Sequence, residues 1–415
     1  AQTATIDDVP DYGFEVAAFA VRQSCEHLPR AVVDKIVILL IDTIGVALAG
    51  SKEDHARQAR AVALATEARA NVTIFGSAAK TSALEAAFAN GVAAHSIDFD
   101  DTHKFVHPGC AVVPAVLALG ELRDVDGPTL LAALTVGYET SIRVAFAAGV
   151  EHRYRGYHPT GTCNVFGAAV GAARVLGLDA ERTAAAIGAA SSMASGLTQY
   201  RFDGAANKHL HGGLAARSGV LAALLAEQGF RGTRHALDGE QGYLNIYSDG
   251  GDLNALIGEL GQRFDLLDTE IKPYPSCRQS HGSVDLALDL AVAHNVTSDD
   301  IESVAIEIYT YADKPWHTTN AIPASPLEAM LCIPYCAASA ILNKRLGLSE
   351  FREPALADPQ LHKLIGQITV TANPELDKNW PRERGARLTC RTKGGQEIFL
   401  STINPKGGRE DPFTH

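Results

Sequence analysis

The sequence lacks three features that would assign it to a specialised class of protein: paired cysteines, an excess of positive charge and long apolar runs. Its seven cysteines are scattered and form no C-x-x-C pair, so we expect free thiols rather than a zinc or redox site. It has 36 Lys and Arg against 48 Asp and Glu, a net charge of -12. A nucleic-acid partner, which needs a basic face, is therefore not expected.

The longest apolar stretches, such as residues 36–40 and 221–225, are broken well before the ~20 residues of a membrane span. We expect no membrane partner. Residues 1–4 are not a basic segment followed by an apolar run, so no secretory signal is expected and cytoplasm is the default localisation. The negative net charge only weakly opposes an anionic substrate, because charge is screened over roughly 8 Å at physiological salt.

At 415 residues, the chain exceeds the roughly 250 to 300 residues of one ordinary core. The predicted fold class is mostly α, with a large all-helical domain over residues 1–267 and a smaller α+β lid domain over 268–402. Residues 403–415 are a candidate for return to the first domain. The boundary is placed at the proline-punctuated segment 272–277, which cannot continue a helix.

Hydrophobic periodicity and Gly or Pro breaks predict the elements of both domains. In the first domain they predict helices over residues 30–49, 82–95, 128–147, 163–176, 180–194 and 215–228. In the second they predict helices over 283–294 and 327–344, strands over 304–309 and 368–371, and a hairpin of 386–392 with 396–402 turned by Gly394 and Gly395. The Ala- and Gly-rich helices suit close packing.

Three carboxylates and three imidazoles fall within residues 95–107, just before Pro108 and Gly109. Imidazole suits proton transfer near neutral pH, and a neighbouring carboxylate can set its tautomer. The Pro-Gly pair is expected to end any helix and expose the segment. A polar loop that caps the next helix and a divalent-metal site are the alternatives, although no H-E-x-x-H or EF-hand spacing is present.

Two further motifs open small-residue helices. In H-P-T, His158 precedes two threonines, Thr160 and Thr162, whose hydroxyls with nearby backbone N–H groups could cradle a carboxylate. In K-H-L-H-G-G, Lys208 could pair with a substrate carboxylate or stabilise an enolate-like transition state. Exposed loops without a function are the alternatives for both.

The segment 272–281 contains Cys277, Arg278 and His281 at the predicted domain junction. Ligand sites tend to form between domains, and an arginine fork can bind a carboxylate in a bidentate way. A plain linker is the alternative. Nothing in the sequence pairs Cys277 with a base, so it is not predicted to be a nucleophile.

The ordered motifs D-F-D-D-T (98–102), H-P-G (107–109), H-P-T (158–160), K-H-L-H-G-G (208–213) and K-P-Y-P-S-C-R-Q-S-H (272–281) resemble the MmgE/PrpD family. That family includes 2-methylcitrate dehydratase, cis-aconitate decarboxylase and iminodisuccinate epimerase. The similarity runs from about residue 17 to 405. It implies a pocket between a helical domain and a lid, and a homodimer without metal or organic cofactor.

The resemblance also implies the pocket residues. The catalytic ones fall on Asp98, His107, His158 and Lys208, and the substrate-binding ones on Thr102, Cys277, Arg278, His281 and Tyr335. Two features depart from the family pattern. Met330 and Cys332 stand where relatives carry a basic residue and a serine, and the chain ends at His415, where relatives add a further helical segment.

We therefore expect a cofactor-independent lyase that transfers a proton at the carbon beside a carboxylate of a small di- or tricarboxylic acid. In this hypothesis Lys208 and Arg278 hold carboxylates, His107 and His158 exchange protons, and Asp98 orients an imidazole. Dehydration, decarboxylation and epimerisation remain open. A metal-dependent hydrolase using the Asp/His segment and a non-catalytic carboxylate-binding protein are the alternatives from other classes.

Overall fold

The computed structural model describes residues 11–66 and 71–413, and these residues form two compact units. The first comprises the described residues of Ala1–Ser96, Asp100–Thr198 and Asn207–Thr269, and the second comprises those of Ile97–Phe99, Gln199–Ala206 and Glu270–His415. Residues 1–10 of the first predicted domain and residues 414–415 lie outside the described residues. The chain changes unit at Thr269, two residues after the predicted boundary.

Most of the chain up to Thr269 is helical, as predicted. The helices are α1 (Tyr12–Arg22), α2 (Arg30–Gly50), α3 (Asp54–Ala65), α4 (Ala83–Ala94), α5 (Gly109–Arg123), α6 (Gly127–Tyr154), α7 (Pro159–Thr162), α8 (Asn164–Val175), α9 (Ala180–Ser191), α10 (Tyr200–Asp203), α11 (Asn207–Glu227), α12 (Tyr243–Tyr247) and α13 (Leu253–Ile257). The short α10 belongs to the second unit.

The prediction of an all-helical first domain is wrong in one detail. A two-stranded antiparallel hairpin, β1 (Val72–Thr73) with β2 (Lys80–Thr81), lies between α3 and α4. The strands are only two residues long, too short for the alternation of apolar and polar side chains that reveals a strand in sequence. The predicted mostly helical class is confirmed.

Small residues let the helices of the first unit approach closely. A Cβ atom on Gly91 of α4 would lie 2.7 Å from the Cα atom of Gly213 of α11, a distance that side chains do not tolerate. The helix predicted over 215–228 begins eight residues earlier, at Asn207. This close contact therefore occurs within the K-H-L-H-G-G motif and buries its polar residues beside α4.

The sequence predicted no apolar stretch as long as a membrane span, but helix α6 meets that criterion by length and composition. Its 28 residues are long and apolar enough to cross a membrane, but 83% of the apolar window is buried within the structure, as in the core helix of a globular protein. The helix also contains an ion pair, in which Arg143 Nε lies 3.0 Å from Glu139 Oε2 with both side chains 1% exposed. The Arg143 guanidinium also donates to the carbonyls of Gly258 and Arg263, at 2.8 and 3.0 Å.

In the second unit, helices pack on a mixed sheet. The helices are α14 (His281–Val292), α15 (Pro315–Thr318), α16 (Pro326–Leu331), α17 (Ile333–Asn343) and α18 (Pro359–Ile365), and the strands are β3 (Ile301–Ile308), β4 (Ile368–Ala372), β5 (Ala386–Thr392) and β6 (Glu397–Thr402). The strand order is β4-β3-β5-β6, with β4 parallel to β3 and the other pairs antiparallel. The expectation of an α+β second half agrees with these elements.

Alternation along β3 explains how this unit forms its core. Val304, Ile306 and Ile308 are buried on one face, and they belong to a cluster with Leu290 of α14 and Ile341 of α17. The predicted Gly-Gly turn joins β5 to β6, and Gly395 there has a φ of 83°, which glycine adopts without strain. The description of this unit as a lid stays a prediction.

The helix predicted over 327–344 is two helices, α16 and α17, which meet at Cys332. Pro334 is the cause, because proline has no N–H to donate to the carbonyl four residues earlier. That carbonyl belongs to Met330, and it accepts a hydrogen bond from Cys277 N at 2.9 Å instead. The break therefore connects the segment 272–281 to the helical layer of the same unit.

Substitution of Arg143 by Met is expected to lower the free energy of unfolding by about 3 to 5 kcal/mol, because it leaves the Glu139 carboxylate buried without its cation. Urea denaturation followed by circular dichroism measures this loss. The control is Arg263→Met, since Arg263 forms an exposed pair with Glu259 and should cost less than about 1 kcal/mol. Equal losses for the two variants would contradict this account of the α6 pair.

Candidate active site

The segment between α4 and α5 is buried, so the prediction that it is exposed is wrong. His95, Asp100 and Asp101 each have 0% exposure. The Pro-Gly pair begins α5 instead of ending a helix, and a Cβ on Gly109 would lie 2.6 Å from the Tyr138 hydroxyl. Glycine is therefore required where the segment enters α5.

Asp101 holds the start of α5, which agrees with the capping alternative for one of the three carboxylates. Its Oδ1 accepts from Gly109 N at 3.0 Å and its Oδ2 accepts from the Tyr138 hydroxyl at 2.7 Å. Burial raises the pKa of Asp101 to about 7, against the lowering effect of those two donors. Asp101 therefore has a structural role, because it connects the start of α5 to Tyr138 of α6.

Asp100 faces the imidazoles. Its Oδ2 lies 2.8 Å from His95 Nδ1 and 3.6 Å from His107 Nδ1, and the two rings have centroids 5.2 Å apart. His107 Nδ1 also lies 2.8 Å from the carbonyl oxygen of Asp101. Because a carbonyl can only accept, Nδ1 of His107 carries a hydrogen, and Nε2 of the neutral ring is left as the basic nitrogen.

His158 and Lys208 reach the same part of the first unit from other elements. His158 precedes α7, and its ring stacks 5.8 Å from that of His95. His158 Nδ1 lies 2.8 Å from Nδ1 of His211, a residue of α11. Lys208, in the first turn of α11, is 4% exposed.

These rings form one group, called here the histidine cluster. Its members are His55, His95, His107, His158, His209 and His211. His55 of α3 stacks on His209 at 4.0 Å, and His209 Nδ1 donates to the carbonyl of His95 at 2.7 Å. The structure therefore brings together the predicted His107 and His158.

Charge and burial keep half of the cluster neutral. Burial lowers the pKa of His55 and of His211 to about 4, and the positive charge of Lys208 contributes to both shifts. Burial also lowers the pKa of His209 well below its usual value, with the charges of His55 and Lys208 acting in the same direction. At neutral pH these three rings are uncharged, and the charges of His95 and Lys208 both contribute to their lowered pKa values.

The predicted carboxylate cradle at H-P-T is wrong in part. Helix α7 is a single turn of four residues, and the N–H groups of Gly161 and Thr162 both donate to the carbonyl of His158, at 2.9 and 3.1 Å. These donors hold the His158 backbone and are not directed at a ligand. Thr102 is 1% exposed and donates to the carbonyl of Val106 at 3.4 Å.

Other predicted site residues lie in the second unit. Asp98 has a left-handed φ of 48°. Lys272 Nζ donates to two oxygens of Asp98, the carboxylate Oδ1 at 2.6 Å and the backbone carbonyl at 2.7 Å. Asp98 was predicted to orient an imidazole, but the ion pair with Lys272 is its main described contact, and Asp100 is the carboxylate placed against His95 and His107.

Arg278 was predicted to hold a substrate carboxylate. The structure instead pairs its Nε with Glu270 at 2.8 Å and its Nη1 with His281 Nδ1 at 2.9 Å. Nη1 and Nη2 also donate to the carbonyls of Lys406 and Pro405, at 2.7 and 3.2 Å. Four of the five N–H groups of an arginine are therefore used within the unit, because residues 403–408 fold back onto this side chain.

His281 and Tyr335 also have internal partners. His281 Nε2 donates to the carbonyl of Ser276 at 3.2 Å and Nδ1 accepts from Arg278, so both ring nitrogens are engaged. The Tyr335 hydroxyl donates to the carbonyl of Glu350 at 2.5 Å in the core of the unit. Cys277 Sγ donates to Gln279 Oε1 at 3.1 Å. Arg278, His281 and Tyr335 therefore all have partners within the second unit, and their contacts with a substrate stay predictions.

All seven cysteines, each of them within the described residues, are free thiols as predicted. Two side-chain groups among the described residues bring three metal-ligand atoms within 4.8 Å of one another: His95, Asp100 and Cys110, and Asp11, His235 and Asp238. Burial raises the pKa of the Cys110 thiol well above 9.0, so that sulfur keeps its proton. In the second group, Arg234 Nε lies 3.5 Å from Asp11 Oδ2. Both environments reduce affinity for a dication.

Sequence reasoning missed five members of the site. His95 and Asp100 lie within the segment 95–107, where their five-residue separation could have indicated a contact. His209 and His211 alternate along the chain directly after Lys208. His55 has no local signal, because α3 brings it to His209 only in the folded chain. A group of imidazoles, three of them neutral at pH 7, beside a lysine is typical of an enzyme that moves protons near negative charge.

Comparison with known proteins agrees with that class. The chain matches the family model of the MmgE/PrpD N-terminal domain over residues 15–256 and that of the MmgE/PrpD C-terminal domain over residues 274–415. It is 28% identical to cis-aconitate decarboxylase of Homo sapiens over 369 residues, covering 84% of this chain and 74% of that protein. It is 24% identical to cis-aconitate decarboxylase of Aspergillus terreus over 424 residues, covering 95% and 85%.

The chain belongs to the MmgE/PrpD family, which confirms the resemblance found in its motifs. It is an enzyme, of the lyase class.

Substitution of Asp101 by Asn tests whether the pKa of this carboxyl group is raised in the folded protein. A folded-state pKa of about 7, above the ordinary 3.8, favours the protonated form in the folded protein. Its contribution to stability is complete below about pH 4 and is lost as the pH rises through about 7. Relative to the variant, the wild type should lose about 4 kcal/mol of unfolding free energy between pH 4 and 8.

Urea denaturation at each pH measures the difference between the two proteins, so that contributions from other groups cancel. Asp34→Asn on the exposed face of α2 is the matched control and should follow the wild type. A wild-type profile parallel to that of Asp101→Asn would show that the Asp101 pKa is not raised.

Proposed function

We propose that this chain is a decarboxylase of a small tricarboxylic or dicarboxylic acid, with cis-aconitate as the first substrate to test. One observation supports it above the others: His107, His158 and Lys208, on three separate elements, meet in one buried cluster of the first unit. The names of the relatives favour decarboxylation over the dehydration and epimerisation that the motifs left open.

Lys208 supplies the fixed positive charge in this proposal. Lys208 is nearly buried. His55, His209 and His211 have lowered pKa values and are neutral, so none of these three rings competes with Lys208 for an anion. In a site of low dielectric constant, such a charge stabilises a developing carbanion more strongly than water does. A well-placed group of this kind is typically worth roughly 3 kcal/mol.

The chemical step balances with one proton. The bond between the carbon skeleton and one carboxylate breaks, CO2 leaves, and the electron pair stays on carbon, delocalised toward a neighbouring carboxylate or alkene. An imidazolium Nε2–H then donates its proton to that carbon. The neutral imidazole takes a proton from water, so each turnover consumes one proton and releases one CO2.

His107 and His158 are the two candidates for this proton transfer. The hydrogen bond from His107 Nδ1 to the carbonyl of Asp101 leaves its Nε2 for exchange with a substrate, and Asp100 stabilises the charged ring from 3.6 Å. His107 is 15% exposed at its side chain, unlike the fully buried His95. This partial exposure gives water a route to return the proton.

Localisation in the cytoplasm, independence from cofactors and a homodimer remain proposals. A feature of α2 supports association of two chains: Val37, Ile41 and Leu48 recur on one helical face with exposed fractions of 36%, 65% and 46%. An exposed apolar stripe of this kind is typical of an interface. A second copy of the chain, joined about a two-fold axis, could cover the stripe with the same residues.

Incubation in D2O with cis-aconitate, citrate or 2-methylcitrate, followed by proton NMR, tests the reaction. We expect release of CO2 and incorporation of deuterium at one carbon of the product from cis-aconitate. New alkene signals from citrate or 2-methylcitrate without CO2 would identify a dehydratase and overturn the proposal. Loss of activity after dialysis against a strong chelator would favour the metal-dependent alternative.

His107→Gln is expected to lower kcat by about 100-fold or more, since general acid–base groups contribute about 10² to 10⁴, and Lys208→Met by about 100-fold through lost electrostatic stabilisation. Steady-state kinetics with the accepted substrate measure both. His27→Gln and Lys52→Met, at exposed positions of the same unit, are matched controls. Activity of the first pair within a factor of three of the wild type would refute the assigned roles.

Ile41→Lys is expected to convert a dimer into a monomer, because it places a charge in the centre of the α2 stripe. Size-exclusion chromatography with light scattering gives the mass. Phe399→Lys, at an exposed apolar residue of β6, is the control and should leave the mass unchanged. A wild type that is already monomeric would end the homodimer proposal.

A further inference from the structure

The contact between His158 and His211 joins two ring nitrogens of the same kind. Nδ1 of His158 lies 2.8 Å from Nδ1 of His211, and the rings are 5.0 Å apart at their centroids with planes inclined by 52°. Both residues are nearly buried, at 3% and 6% exposure. At this distance one of the two nitrogens must donate a hydrogen and the other must accept it.

Two arrangements satisfy this contact. In the first, His211 donates, and a neutral His158 then has its hydrogen on Nε2 and none on Nδ1. In the second, His158 donates from Nδ1, and His211 accepts and keeps its own hydrogen on Nε2. Only in the second arrangement can His158 gain a proton on Nε2, become an imidazolium and still keep the hydrogen bond.

Proton transfer by His158 requires the second arrangement, in which His211 is the acceptor. Burial lowers its pKa to about 4, with further lowering from the charges of His95 and Lys208, so His211 stays neutral and retains one nitrogen lone pair. A neutral His211 with its hydrogen on Nε2 accepts from His158 Nδ1 whether or not His158 also carries a hydrogen on Nε2.

The backbone on both sides holds the two rings in place. His158 N donates to the carbonyl of Gly196 at 3.0 Å. Gly196 has a φ of 143°, and a Cβ there would lie 3.4 Å from Cγ and Nδ1 of His211. Gly196 thus binds the His158 backbone through its carbonyl and lies beside the ring of His211, so the backbone places the two rings next to each other.

We infer that His211 is a positioning residue that sets the tautomer of His158, so that His158 delivers a proton from Nε2. The inference rests on the proposed function. In the step, the carbanion electron pair forms a C–H bond as the Nε2–H bond of the imidazolium breaks. His158 is left neutral with its Nδ1–H still donated to His211, and water returns a proton to Nε2.

This inference gives the two predicted histidines the same arrangement of ring nitrogens but different partners. His107 donates its Nδ1–H to a carbonyl, and His158 donates its Nδ1–H to His211. In both cases the second nitrogen, Nε2, is the one that exchanges protons. The partner of His107 is a backbone carbonyl, whereas the partner of His158 is a side chain. The assignment can therefore be tested by substitution of His211 without altering the backbone.

Kinetics with His211→Leu and His211→Asn test the function of this contact. Leu removes the acceptor, and kcat should fall about 100-fold, the lower range for a general acid, while KM changes less than about threefold because His211 is not assigned to substrate. Asn places an amide oxygen near the former Nδ1 and should recover at least about tenfold of the loss. His27→Leu, at an exposed histidine of the same unit, is the control.

A purely structural role predicts a different result, namely that Leu and Asn lower activity and thermal stability together. A kcat for His211→Leu within about threefold of the wild type, or no recovery with Asn in a folded protein, would overturn the inference. Should His211→Leu fail to fold, the Asn variant and the spectroscopic test on the wild type decide the question.

Long-range ¹H–¹⁵N NMR of protein labelled at histidine reads the tautomers directly. The His158 signals are assigned by their absence in His158→Gln. We expect neutral His158 of the wild type to be protonated on Nδ1 and His211 on Nε2, and the opposite pattern would refute the inference. This measurement needs no substrate, so an enzyme inactive on cis-aconitate would disprove the proposed function without deciding the tautomer.

Discussion

The hydrogen bond between His95 and Asp100 is the interaction on which the rest of the site depends. It is 2.8 Å long, and neither side chain has any exposed surface. A buried carboxylate is costly unless a donor satisfies it, so this pair determines where the segment after α4 can lie. The ring of His95 then has His107, His158 and His209 around it, and its backbone carbonyl accepts from His209.

Close packing of small residues makes this burial possible. The contact of Gly91 with Gly213 brings α4 against α11, and Gly109 lets the start of α5 pass the Tyr138 hydroxyl. His209 and His211 of α11 are thereby buried, and burial lowers their pKa values. The small residues of α4, α5 and α11 therefore create the surroundings of low dielectric constant in which Lys208 is buried.

The second unit uses its charged residues differently. Lys272 neutralises Asp98, and Arg278 neutralises Glu270 while it donates to residues near the end of the chain. Removal of one partner from such a buried pair leaves an uncompensated charge, which costs more than an exposed pair would. The motif 272–281 is for this reason a structural junction of its own unit as well as a family signature, and a motif alone does not separate these two roles.

The sequence by itself determined the mostly helical class and the family, and its motifs selected His107, His158 and Lys208 as candidates, because periodicity and motifs are local and survive without coordinates. The tertiary structure decided which partners these residues have. Asp100 replaced Asp98 beside the imidazoles, Arg278 and Tyr335 proved to have internal partners, and His55 and His211 joined the site. Hydrogen bonds and desolvation depend on distances between elements far apart in the chain, and local sequence patterns carry no information about those distances.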